Sequence, residues 1–172
     1  MARKTLRRRI KAKKNSQKKR PSPGANKARA KTTLRGAWEK AVSLHQRGLL
    51  SEAEKIYLRI LISQSNNDTL LGNLGAALRG QGKLDDAIVC YQRALTINPD
   101  SPQIHNNLGN ALRDKGNLKK AAACYRHAIE HDPEFTEAIF NLAVALKDLG
   151  NLKPARTYFR EALDLNPQYL EA

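Results

Sequence analysis

A chain of 172 residues with 31 Lys and Arg against 16 Asp and Glu carries a net charge of +15, but the excess sits at one end. Residues 1–36 hold fifteen basic residues and no acid, while residues 37–172 balance sixteen bases against sixteen acids. Two cysteines make no disulfide framework, and no stretch approaches the roughly 20 apolar residues of a membrane-spanning helix. No apolar segment follows the basic start as a secretory signal requires, so the expected setting is the cytoplasm, with the nucleus a second address in a eukaryote.

Residues 1–33 are expected to form a disordered tail. Leu6 and Ile10 are their only large apolar residues besides Met1, and "KKRPSPGANKARAK" adds two prolines and a glycine. So little apolar surface cannot offset the entropy of ordering. Arg7, Arg8, Arg9, Lys11, Lys13, Lys14, Lys18, Lys19 and Arg20 are candidates for contact with an anionic surface, with RNA or the ribosome leading and membrane second. No aromatic is interleaved for base stacking, so such binding is expected to be electrostatic and blind to sequence.

Beyond the tail, the chain repeats itself. "NLGAALRGQGKL" begins at 73, "NLGNALRDKGNL" at 107 and "NLAVALKDLGNL" at 141, a spacing of 34 residues that points to a stacked repeat architecture. Four units fit, over 34–67, 68–101, 102–135 and 136–169, and residues 170–172 look like the start of another. Each unit reads as two amphipathic helices. In the third, Ser101 is placed to cap the first helix and Pro102 to open it. Ile104, Leu108, Ala111 and Leu112 form one face of that helix. Leu118, Ala121, Tyr125, Ala128 and Ile129 do the same in the second helix. Asp132-Pro133 ends the unit, as Asn98-Pro99 and Asn166-Pro167 end its neighbours. The first unit is the degenerate one, with Lys40 in place of Leu and Ser65 in place of the terminal proline. Gly75 and Gly109 are expected to let the two helices of a unit touch, and Gly48, Gly82, Gly116 and Gly150 to close the first helix in a left-handed turn.

The runs Ala87-Tyr91-Ala94-Pro99, Ala121-Tyr125-Ala128-Pro133 and Ala155-Phe159-Ala162-Pro167 resemble the tetratricopeptide repeat family, as does Ala53-Tyr57 in the first unit. The resemblance implies an all-α fold, a right-handed α-solenoid of helix-turn-helix repeats whose first helices line a concave groove. It places Asn73, Asn107 and Asn141 on successive turns of that groove, with Asn106 and Asn110 nearby. An Asn amide offers a donor and an acceptor, so such a ladder suits the backbone of an extended peptide or partner protein. The ladder looks like that of protein O-linked N-acetylglucosamine transferases, where it holds the substrate. A second reading therefore makes this chain the substrate-recognition portion of such a glycosyltransferase, with its catalytic domain elsewhere. Arg79, Arg113 and Lys147 fall at equivalent helix ends. They are either favourable charges at a helix C-terminus or a cationic rim to the groove. The basic clamp of chaperone-tail binders is replaced here by Gly72, Phe140 and Asn141.

Other chemistry is not expected. Cys124, His127 and His131 share a side of one helix, but a metal site needs three or four converging ligands, and His105 is expected to stay apart from them. Cys90 and Cys124 occupy one slot in adjacent repeats, too far apart for a disulfide. No nucleophile elbow, phosphate loop or dinucleotide glycine motif occurs, so neither an enzyme, a cofactor nor a small-molecule substrate is expected. At the far end, Ala155, Phe159, Ala162 and Leu163 are expected on or near an uncovered apolar face, marking a fragment of a longer array or a contact with a second copy or a partner.

Overall fold

The structure, a computed structural model, describes residues 23–168, with side chains from 33 onward. Among the described residues there are eight helices and no strand. They are α1 (Pro23–Gln46), α2 (Leu50–Ser63), α3 (Asp68–Gly80), α4 (Leu84–Ile97), α5 (Pro102–Asp114), α6 (Leu118–His131), α7 (Thr136–Asp148) and α8 (Leu152–Leu165). The chain divides into two units, 1–36 and 37–172, and the second contains the stacked repeats. No described helix is long and apolar enough to cross a membrane.

Helix α1 begins at Pro23, ahead of the boundary expected at 33/34. The local reason is composition. "ANKARAKTTL" alternates Ala with Lys and Arg, all good helix formers, behind a proline that suits a first helical turn. The basic residues from Arg7 to Arg20 lie outside the described residues.

The repeat boundaries follow from backbone chemistry. Asn67 caps α3 by accepting from the Leu70 N–H at 2.8 Å, and Ser101 caps α5 by accepting from the Ile104 N–H at 3.4 Å, with Pro102 in its first turn. Gly82 and Gly116 close α3 and α5 with φ of +75° and +82°, where a Cβ would be strained. The next N–H reaches five residues back in each case, Lys83 to Leu78 and Asn117 to Leu112, so the last turn loses few hydrogen bonds.

Tyr57, Tyr91 and Tyr125 are the largest fully buried side chains. Each comes from the second helix of a repeat. A Cβ on Gly75 would lie 2.7 Å from Cε1 of Tyr91, and one on Gly109 would lie 2.5 Å from Cε1 of Tyr125. The interior glycines are thus the seats on which these rings rest. Successive helices pack side by side from α2 to α8. The first helices α3, α5 and α7 also touch one another, whereas the second helices share no comparable contact. The first helices therefore lie on the inside of the stack.

The far end differs from expectation. Ala155 and Ala162 are buried, and Phe159 and Leu163 are half-buried. Ala155 packs into one cluster with Leu142, Ala145 and Leu146 of α7, because small residues in these slots face the first helix of their own repeat. Phe159 meets Phe140 edge to face at 5.5 Å. The exposed apolar residues of α8 are Leu152 and Leu165.

Candidate peptide-binding groove

Asn106, Asn110 and Arg113 recur at spacings of four and three residues and so share a face of α5, with Asn107 beside them. Asn73 on α3 and Asn141 on α7 occupy the slot of Asn107 in their own repeats. The five asparagines do not behave alike. Asn73 and Asn107 are half-buried, and their side chains have no hydrogen-bond partner among the described residues. Asn106, Asn110 and Asn141 are buried and engaged.

Asn141 Nδ2 donates to Asn106 Oδ1 at 3.0 Å, and Asn106 Nδ2 donates to Glu137 Oε1 at 2.9 Å. Arg113 Nη1 donates to Asn141 Oδ1 at 3.2 Å, closing a relay between the third and fourth repeats. Asn110 faces inward, where its Oδ1 accepts from the Tyr125 hydroxyl at 2.8 Å. It braces the buried ring. Glu137 carried no signal in the sequence, since it lies in the next repeat and matches no feature of the period.

The three cations divide as well. Arg79 Nε donates to Asp114 Oδ2 at 2.6 Å, an ion pair across the second and third repeats with both side chains about one-third exposed, at 32% and 34%. Arg113 is held in the relay. Lys147 is exposed, and its nearest carboxylate, Asp148, stands 4.0 Å away. Asp114 thus answers a cation of the preceding repeat.

At the mouths of the helix turns, further side chains tie repeat to repeat. Glu54 accepts from Lys83 at 2.7 Å and from Gln81 at 2.8 Å. The Lys83 hydrogen bond is the main cause that lowers the Glu54 carboxyl pKa. Lys115 pairs with Asp85 in the same way, while Asn98 donates to Asp68 at 3.0 Å within the second repeat. These links hold the spacing between groove helices.

Among the described residues, no group of three or more His, Cys, Asp or Glu is placed to hold a metal ion. Cys90 and Cys124 are free thiols, and burial raises both pKa values, that of Cys124 to about 11. Neither is a ready thiolate at neutral pH. One expectation is overturned. His105 joins His127 and His131, because the first and second helices of the repeat bring them together in space.

The family follows from comparison. A TPR repeat pattern matches residues 75–112 and a tetratricopeptide repeat pattern matches residues 106–169, so that together they cover 75–169, more than half of the chain. The chain belongs to the tetratricopeptide repeat family. Solved tetratricopeptide structures agree on the fold. A crystal structure of MamA superposes with a TM-score of 0.74 at 21% identity, covering 86% of this chain and 88% of that one. MamA from residue 41 to its end, from Desulfovibrio magneticus RS-1, gives 0.72 at 18% identity, covering 78% and 76%. A tetratricopeptide repeat protein from Parabacteroides merdae ATCC 43184 gives 0.70 at 27% identity, covering 79% of this chain and 54% of that one. No curated protein matches. Tetratricopeptide arrays present extended surfaces to partner proteins or peptides, and this chain is an interaction scaffold of that type.

Proposed function

We propose that the chain is an adaptor that holds an extended stretch of a partner protein along α3, α5 and α7. It acts by binding, without a cofactor and without catalysis of its own. The observation that carries this reading is the pair Asn73 and Asn107. They occupy equivalent slots on the inner helices, are half-buried, and have no hydrogen-bond partner for either amide group among the described residues. Each can give one hydrogen bond and accept another, which matches a peptide backbone whatever its side chains. The Arg113–Asn141–Asn106–Glu137 relay stiffens the wall beyond them, and Lys147 remains to meet an acidic side chain.

The test starts from a peptide selected on the wild-type chain from a random library. Asn73→Ala combined with Asn107→Ala is expected to weaken that peptide by about 1–3 kcal/mol, roughly 5- to 150-fold, with the circular dichroism unchanged. Unaltered affinity would remove these asparagines from the site. The same asparagine column also suits the substrate-recognition part of a protein O-linked N-acetylglucosamine transferase. The readings part on what is retained in a pull-down: that one requires a glycosyltransferase catalytic chain, whereas an adaptor needs only its partner.

The tail completes the proposal as an electrostatic tether to RNA or another anionic surface, a reading that rests on charge alone. Residues 1–22 hold eleven of the fifteen basic residues, Arg7 to Arg20 among them, and removing them leaves α1 whole. The full chain is expected to bind single-stranded RNA with log K falling by roughly 0.7 per phosphate neutralised for each decade of salt. The shortened chain should lose most of that slope. Equal slopes would show that the tail is no tether.

A further inference from the structure

One cluster lies outside the groove and has no part in it. The His105 ring lies 5.4 Å from that of His127 and 6.2 Å from that of His131, centre to centre, with planes 30° and 12° from parallel. His105 and His131 stand in slots that are apolar in the neighbouring repeats. Leu71 and Ile139 fill the slot of His105 in the neighbouring units and are fully buried. Ile97 and Leu165 stand where His131 stands, and Arg93 and Glu161 stand where His127 stands. His105 Nε2 is 2.8 Å from the Pro99 carbonyl oxygen, so Nε2 carries the proton and Nδ1 keeps a lone pair. That Nδ1 is buried and has no hydrogen-bond partner among the described residues. Such an atom can take a metal ion or a proton. The donors are not placed around one ion, so the proton is left.

We propose that His105, packed against the rings of His127 and His131, is a proton-sensitive joint, so that acid loosens the third repeat along the seam of α5 and α6. The surrounding charges are unevenly shared. Asp100, in the loop ahead of α5, lies 3.8 Å from His131 Nε2, and Glu130 lies 3.4 Å from His127 Nδ1. Each of those rings has a carboxylate beside it. His105 has none at Nδ1. The cleft beside it, about 470 Å³, is lined by Asp85 of α4, Lys115 just past α5, and Lys120 and Cys124 of α6. Asp85 is already taken by Lys115. Burial is the first cause that lowers the His105 pKa, and His127 and His131 add to it, while the Pro99 carbonyl and Asp100 act in the opposite sense.

The sign follows from proton linkage. A histidine with a lowered folded pKa binds its proton more readily in the unfolded chain, where the pKa is about 6.5. Its stabilising contribution is complete above that pH and is lost as pH falls from there towards the folded pKa. Helix α5 also carries Asn106, Asn107 and Asn110, so a looser seam disturbs the groove; that consequence alone rests on the groove reading.

The experiment needs no peptide, so its failure is distinct from failure of the groove. Thermal unfolding of the full chain is measured at pH 7.5 and 5.5 for wild type and for His105→Leu, which restores the residue type found in the second repeat. The wild-type Tm is expected to fall on acidification, and the variant should be spared about 3 °C of that fall. His45, whose pKa burial also lowers, contributes equally to both chains. His127→Gln with His131→Gln should spare part of it. Amide exchange at pH 5.5 should quicken in α5 and α6 relative to α7 and α8, and the His105 ring should titrate below 6.5 in proton NMR. Equal acid loss in wild type and His105→Leu, or a His105 ring titrating at or above 6.5, would overturn the proposal. So would ZnCl2 that stabilises wild type and not the variant, since it would assign the cluster to a metal ion.

Discussion

Tyr125→Ala is expected to cost about 3–5 kcal/mol, the range for deleting a large buried aromatic ring. Tyr125 is fully buried, with its ring against the backbone of Gly109 and its hydroxyl donating to Asn110 at 2.8 Å. The cavity left by Ala has little to fill it, because the opposing residue is a glycine with no side chain to move in. The smaller change Tyr125→Phe separates ring from hydroxyl. It strands the Asn110 carbonyl, on a residue only 6% exposed, and should cost about 1–3 kcal/mol. Tyr91 supplies the control. Its ring sits on Gly75 in the same way, but Ala76 replaces Asn110 in that repeat. Tyr91→Phe should therefore be close to neutral, within about 0.5 kcal/mol. Urea unfolding followed by circular dichroism measures all three. If the two Tyr→Phe changes cost the same, the Asn110 bond contributes nothing and the ring alone holds the repeat.

The parts of this fold legible in the sequence are those set by single residues. A left-handed backbone turn calls for Gly82 or Gly116 whatever surrounds it, and Pro99 or Pro133 stops a helix unaided. The groove was less legible because its chemistry depends on pairs. The 34-residue period makes Asn73, Asn107 and Asn141 equivalent, yet their neighbours are not. Asn141 bonds a residue 35 positions earlier, Asn106. The same step from Asn107 leads to Gly72, which has no side chain, and from Asn73 to Trp38, which has no acceptor. One asparagine is therefore engaged, and the other two have no hydrogen-bond partner among the described residues. Arg79 and Asp114 are paired over the same step of 35. Sequence reasoning that compared only like slots missed both pairs, and with them Glu137. His105 was expected to stay apart from His127 and His131, because its partners come from the other helix of the hairpin. Residues 23–33 carry two signals at once: their charge suits a tail, while their Ala, Lys and Arg suit the first turns of α1.

Gly109→Leu should destabilise the chain by about 3 kcal/mol or more, at the upper end of what overpacking costs. The first side-chain atom already meets Tyr125, with Cε1 at 2.5 Å, Cδ1 at 2.8 Å and Cζ at 3.0 Å. The ring cannot swing aside, since it is fully buried and its hydroxyl is anchored on Asn110. Either α5 and α6 separate or the ring leaves its seat, and both open the core of the third repeat. Gly109→Ala is milder, because alanine recovers roughly 1 kcal/mol of helix propensity against the same clash. The protein itself shows when that single methyl group is tolerated. Ala41 and Ala143 occupy the equivalent slots opposite Tyr57 and Phe159. Phe159 has no hydroxyl and is only half-buried, and the Tyr57 hydroxyl reaches its nearest partner, His45 Nδ1, at 3.5 Å. Phe159 has space beside it and Tyr57 is held by a longer hydroxyl contact, whereas Tyr125 is tethered at 2.8 Å. The loss from Gly109→Ala should therefore shrink by at least 0.5 kcal/mol when Tyr125→Phe is already present, a coupling that a double-mutant cycle reads directly. A Gly109→Leu chain with the wild-type urea midpoint would show that the ring has room the packing does not reveal. Additive losses for Gly109→Ala and Tyr125→Phe would show that the hydroxyl tether is not what makes the glycine necessary.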